Sequence, residues 1–182
     1  MIEVRFHGRG GQGVVTAAKI LANAFVRQGK FGSSFPMFGF ERRGAPVTAF
    51  MRFAEDPIRE KTQIYNPDCL LVLDASQKDS PVVYDGLKPG GVLILNTREP
   101  IHEKPCKDLG RAGLVDAETI ALEEIGISSP NTPMVGAFAA ATGWIPIEHI
   151  LSGLEQYFSG DILKRNIRCA ERGFHEVEVI QW

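Results

Sequence analysis

Three cysteines in 182 residues, Cys69, Cys106 and Cys169, stand far apart, and no two form a CxxC pair. An odd, scattered set argues against a disulfide framework, and it offers neither a zinc site nor an iron–sulfur ligand set. Excess charge is missing too: 20 basic residues face 22 acidic ones, a formal net charge of −2. Bulk attraction to nucleic acid or to an anionic membrane surface is therefore not expected. No apolar run approaches the roughly 18 residues that would span a bilayer. The opening "MIEVRFHG" is too short and polar for a signal peptide, so a cytoplasmic location is expected. There is no internal repeat and no low-complexity tract. His7, His102, His149 and His175 are scattered, and no Ser/His/Asp arrangement has a defensible spacing. Neither a catalytic set nor a metal site is predicted on this chain.

What is present is an ordered alternation of strand and helix patterns. "IEVRFH" alternates and then meets glycines, which reads as a strand ending in a loop. From Gln12 to Gln28, apolar Val14, Ala18, Leu21 and Phe25 fall on one helical face, and Gly29 stops the helix. "FGSSFPMF" and "VTAFMRFA" read as strands on either side of the polar turn "GFERRGAP". "CLLVLD" and "GVLILNT" are unbroken apolar runs of strand length, the pattern of strands buried on both faces in a parallel sheet. "GLVDAETIALEEIG" reads as a short strand, an N-cap at Asp116 and a helix. The remainder reads as helices: "MVGAFAAATGW", then "PIEHILSGLEQYF" with Ile147, Ile150, Leu154 and Phe158 on one face. A last helix places Leu163, Ile167, Ala170, Phe174 and Val177 at alternating spacings of four and three. The expected fold is one α/β domain over residues 1–182, three-layered and Rossmann-like, with a mostly parallel sheet and C-terminal helices.

The most informative stretch is "FHGRGGQGVVTAAK". Gly8, Gly10 and Gly13 sit at GxGxxG spacing between a strand and a helix. Glycines let the backbone turn tightly and approach a ligand, and a helix N-terminus favours an anion. A tight turn with no ligand has the same pattern. A dinucleotide site also needs an acid about 20 residues on, for the ribose hydroxyl. That count lands near Ser33, and no acid occurs before Glu41. A P-loop is excluded because no Gly-Lys-Ser/Thr follows the glycines. The loop thus suits a phosphate-bearing ligand while matching neither common nucleotide class.

Two further stretches carry information. In "FGFERRGAPVTA", Arg42 and Arg43 are adjacent in a turn flanked by aromatics. Paired arginines clamp phosphates or partner carboxylates, although an ordinary solvated turn reads the same way. "SPNTPMVGAFAAATGW" predicts a helix built of small residues, suited to close packing either inside the domain or at a subunit interface.

Taken together, "RFHGRGGQGVVTAAKILANA", "FPMFGFERRGAPVTAFMRF", "PIREKTQIYNPD" and "NTPMVGAFAAATG" resemble the gamma subunits of pyruvate:ferredoxin oxidoreductases and of the related 2-oxoisovalerate enzymes. The resemblance spans nearly the whole chain and is least distinctive over residues 97–114. It implies a reversible reaction of pyruvate, coenzyme A and oxidised ferredoxin giving acetyl-CoA, carbon dioxide and reduced ferredoxin. It implies partners, namely alpha, beta and delta subunits, with ferredoxin as acceptor of the complex. Thiamine diphosphate, Mg2+ and [4Fe-4S] clusters are implied on those partner chains, leaving this chain inactive alone. For this chain the resemblance implies a share in coenzyme A binding. The matching loop positions are Gly8, Arg9, Gly10, Gly11, Gln12 and Gly13, followed by Lys19, and Arg42 and Arg43 join them as the candidate cationic turn. Lys19 lies off the apolar helix face, about 9 Å along the axis from Gly13 at 1.5 Å per residue. A stand-alone nucleotide-binding protein and a purely structural subunit remain the rival readings.

Overall fold

The computed structural model describes residues 1–37 and 43–182. In chain order the elements are β1 (Ile2–Arg9), α1 (Val14–Arg27), β2 (Phe31–Pro36), β3 (Pro46–Ala54), β4 (Cys69–Val72), α2 (Pro81–Tyr84) and β5 (Gly91–Asn96). They continue as β6 (Leu109–Val115), α3 (Ala117–Ile125), α4 (Asn131–Thr142), α5 (Ile147–Gly153), α6 (Gly160–Glu176) and β7 (Glu178–Gln181). A 3-10 turn over Ala75–Gln77 follows β4, and another over Leu154–Gln156 follows α5.

Among the described residues, seven strands form one sheet in the order β2-β3-β1-β4-β5-β6-β7. β1, β4, β5 and β6 are mutually parallel. β3 runs antiparallel to β1, β2 antiparallel to β3, and β7 antiparallel to β6. Five strands therefore point one way, with a reversed strand at β3 and at the β7 edge. As their unbroken apolar runs require, β4 and β5 are buried at every residue.

The two faces of the sheet are covered unequally. Alternate residues of the central strands (Cys69 and Leu71, Val92 and Ile94) join α1 and α3–α6 in the larger core. The opposite set, Leu70, Val72, Leu93 and Leu95, packs under α2 and its flanking loops. Toward β1 and β3 this second cover is irregular chain held by two buried arginines. Arg5, only 8% exposed, donates to Val83 O at 2.9 Å and to Asp85 O at 2.6 Å. Arg52, 2% exposed, donates to Thr62 O at 2.8 Å and to the Glu3 carboxylate at 2.8 Å. Peptide carbonyls thus satisfy most of the guanidinium donors, which makes cationic residues tolerable inside the sheet layer.

Local signals mark the helix ends as expected. Val14, Ala18, Leu21 and Phe25 are all buried on α1. Past its end, Gly29 at φ 86° donates to Val26 O at 2.9 Å and Lys30 donates to Phe25 O at 3.0 Å. Those two bonds define a Schellman stop, which requires the left-handed residue that glycine supplies. The Asp116 carboxylate accepts from Thr119 N at 3.0 Å and caps α3.

The structure decides the small-residue question in favour of internal packing. α4 is buried at every position except Ala140, and it lies directly against α6. A Cβ on Gly136 would stand 1.9 Å from Ala170 O, and one on Gly173 would stand 2.0 Å from Pro133 O. The two backbones meet there with no room for a side chain. Two expectations need correction: the helix expected over "PIEHILSGLEQYF" ends at Gly153 and passes into the 3-10 turn, and the C-terminal helix ends at Glu176, with Val177 its cap, before the chain leaves as β7. Four mostly exposed residues on an edge carry too little apolar pattern to announce a strand.

Candidate functional site

β1 delivers the glycine loop to the carboxyl end of the sheet, where α1 begins. Gly11 at φ 98° and Gly13 at φ 78° carry the left-handed backbone, whereas Gly10 does not. Gly13 is the N-cap of α1, no side chain among the described residues caps the helix, and its first turn holds no acid. The first-turn N–H groups therefore face outward with the positive end of the helix dipole.

The loop is braced on both sides. Toward β3, Gly10 N donates to Ala45 O at 2.9 Å and Gly44 N to Gly10 O at 3.2 Å. Toward β4, Arg9 Nε donates to the Asp74 carboxylate, Arg9 Nη2 to Ser76 Oγ at 3.1 Å, and Gln77 Nε2 to Gly8 O at 3.2 Å. Arg9 Nη1 also donates to Gly44 O at 3.2 Å. Gln12 turns back within the loop, its Oε1 accepting from Arg9 N at 2.7 Å.

A pocket of about 460 Å³ opens beside the loop. One wall is Arg9, Gly10, Gly11 and Gly13; the start of α1 (Val14, Val15 and Thr16) forms the base, and Val47 and Arg43 close the β3 side. Of the residues predicted for the site, Arg9, Gly10, Gly11, Gly13 and Arg43 converge here. Gly8 is buried in β1, and Gln12 is spent on the Arg9 amide. Lys19 is exposed on α1 and stands outside the pocket wall. Arg42 lies outside the described residues.

The strand beside β1 on the pocket side is β3, and it runs antiparallel. The wall there comes from its beginning, at Val47, rather than from the carboxyl end of a parallel strand. An acid for a ribose hydroxyl would stand at that carboxyl end in a dinucleotide site. Its place is taken by an apolar surface, which agrees with the missing acid in the sequence.

His7, the histidine nearest the loop, is 8% exposed, and its Nε2 accepts from Arg5 Nε at 3.0 Å. Burial, and then the Arg5 charge, push its pKa down to about 3. It is a neutral hydrogen-bond acceptor at ordinary pH. Cys69 and Cys169 are buried, and burial lifts the Cys169 thiol to about 12. Among the described residues, no three His, Cys, Asp or Glu side chains converge as a metal site would require, and no helix is long and apolar enough to cross a membrane.

Asp74, Ser76, Gln77, Thr16 and Val47 were not foreseen as site residues. Asp74 alone had a visible signal, because it is the acid that ends the buried run "CLLVLD" at the carboxyl edge of the sheet.

An α/β domain with a glycine loop at a helix N-terminus defines a class of anion-binding folds. Comparison with known proteins narrows it. The family model described as pyruvate ferredoxin/flavodoxin oxidoreductase matches residues 3–176. The common gamma subunit of the pyruvate/ketoisovalerate oxidoreductases of Thermococcus kodakarensis is 50% identical, with 100% of both chains covered. The gamma subunit of the NADH-dependent phenylglyoxylate dehydrogenase of Aromatoleum evansii is 45% identical over 98% of this chain and 95% of that one. Among solved structures, the pyruvate oxidoreductase subunit PORC of Thermotoga maritima superposes with a TM-score of 0.86 at 37% identity, covering 99% of this chain and 98% of that one. The chain belongs to the pyruvate ferredoxin/flavodoxin oxidoreductase family, as a gamma-type subunit of a 2-oxoacid oxidoreductase complex.

Proposed function

We propose that this subunit serves a cytoplasmic pyruvate:ferredoxin oxidoreductase and that its glycine-loop pocket receives the phosphates of coenzyme A. The observation that carries the reading is the pocket itself. Outward N–H groups at the start of α1 and the Arg43 guanidinium at the rim supply anion recognition. Val14, Val15 and Val47 supply an apolar wall for the rest of a nucleotide. Alpha, beta and delta chains provide the thiamine diphosphate, the Mg2+ and the [4Fe-4S] clusters, so decarboxylation and electron transfer to ferredoxin occur away from this chain. Choice of 2-oxoacid then lies with the partner chains. One observation favours that division: the Thermococcus relative is by its name common to a pyruvate and a ketoisovalerate enzyme. A 2-oxoisovalerate enzyme is accordingly the second reading for the complex.

The test uses the assembled complex. Arg43→Ala is expected to raise the apparent KM for coenzyme A roughly tenfold, the size of one lost charge-assisted contact. Gly11→Ala is expected to do the same through the backbone, since its left-handed φ strains any residue with a Cβ. Coenzyme A should also slow hydrogen exchange at amides 10–16. Wild-type KM in both variants, with no protection of those amides, would overturn the reading.

A further inference from the structure

The loops after β1 and β4 leave the sheet on opposite faces: α1 packs in the larger core, whereas α2 packs in the smaller one. In open α/β sheets the crevice at such a switch point is where ligands enter. Here Arg9 and Asp74 stand across it. The Arg9 side chain is 42% exposed and that of Asp74 only 13%. Asp74 is itself fixed, since its second oxygen accepts from Ser76 N at 3.0 Å. Through one guanidinium, three separate loops are joined: the glycine loop, the turn at Gly44 next to Arg43, and the turn after β4.

We propose that Asp74 is a positioning residue for the ligand pocket: by holding Arg9 across the β1–β4 crevice, it fixes the glycine loop and the Arg43 turn in the arrangement that presents both to one anion. This rests on the coenzyme A reading of the pocket. Simple electrostatics makes the opposite forecast. Asp74 is an acid near an anion site, so removing it frees a cation and should tighten phosphate binding. A positioning role makes its removal weaken binding, because the donors lose their common geometry. The sign of the effect therefore discriminates.

The experiment compares Asp74→Ala, Asp74→Asn and Arg43→Ala in the assembled complex. Steady-state KM for coenzyme A, kcat, and hydrogen exchange at amides 10–14 are measured in each. Asp74→Ala is expected to raise KM roughly tenfold, to change kcat much less, and to speed exchange of the loop amides. Asp74→Asn should recover part of the KM, because a carboxamide oxygen still accepts from Arg9. Ser76→Ala removes a single bond from Arg9 and gives a milder form of the test should Asp74→Ala fail to assemble. Its KM should rise in the same direction, by less. A KM that is unchanged or lowered in Asp74→Ala, or in Ser76→Ala where only that complex assembles, while Arg43→Ala raises it, overturns the positioning role and leaves the coenzyme A site standing. A KM unchanged in Asp74→Ala and in Arg43→Ala alike also overturns the positioning role, and the coenzyme A reading falls too if Gly11→Ala is unchanged and coenzyme A protects none of amides 10–16.

Discussion

Acid should destabilise this subunit through His7, and the size of the effect follows from the structure. The ring is buried in the sheet layer, and its Nε2 is occupied by the Arg5 guanidinium, a cation that cannot give way. Protonation would place two positive charges together out of water. The pKa accordingly falls from an ordinary 6.5 to about 3, with burial the larger cause and Arg5 the second. Between those values the unfolded chain binds a proton that the folded chain refuses, so stability falls as pH falls from about 6.5 toward 3. Each pH unit within that window costs about 1.36 kcal/mol. Moving from pH 7 to pH 5 should therefore remove about 2 kcal/mol through this one residue, a large part of a typical domain's stability. Carboxylates that titrate in the same range add to the raw slope, so the measurement must be a difference. His7→Gln keeps an acceptor for Arg5 and removes the titration. Urea unfolding of the purified subunit at pH 7 and pH 5 should show the variant losing about 2 kcal/mol less than wild type across the interval. Equal losses in the two proteins would refute the assignment of His7 as a neutral buried acceptor.

Gly173→Ala should lower the melting temperature sharply, since its methyl would stand 2.0 Å from Pro133 O; overpacking of this kind costs typically 1–3 kcal/mol, and an unchanged melting temperature would contradict the close α4–α6 contact. Lys19→Ala in the assembled complex should leave the KM for coenzyme A within about twofold of wild type, because Lys19 is exposed on α1 and does not line the pocket. A tenfold rise there would place Lys19 in the site after all. Arg43→Ala, alone or combined with Arg42→Ala, should weaken assembly or coenzyme A use while shifting stability by about 0.5 kcal/mol or less, the usual effect of replacing an exposed side chain such as Arg43; a large melting loss with unchanged kinetics would count against a ligand role for these arginines. The isolated subunit is expected to fold and to show no pyruvate oxidation with coenzyme A and a viologen acceptor, and turnover by the single chain would refute the division of labour proposed for the complex.

Several features of this protein were written locally. The apolar runs at 69–72 and 92–95 identify strands buried on both faces, because a polar side chain there would need a buried hydrogen-bond partner. The four-three-four spacing from Val14 to Phe25 identifies the buried face of α1, Gly29 its stop, and Asp116 the start of α3. Each of these depends on residues no more than a few turns apart. The glycine loop was legible for the same reason, as were most of the residues that line its pocket. Other features needed the assembled sheet. Nothing in "VTAFMRFA" states that β3 lies beside β1 and runs against it, yet that reversal puts Val47 where a dinucleotide fold would place an acid. Arg9 reads as a residue of the anion loop, and only the fold brings Asp74 to it across 65 residues of chain. β7 exists only because β6 presents an edge for it to join. Periodicity and capping report the short-range part of the free energy, whereas strand order and cross-loop ion pairs depend on long-range contacts that form only when the whole core is buried.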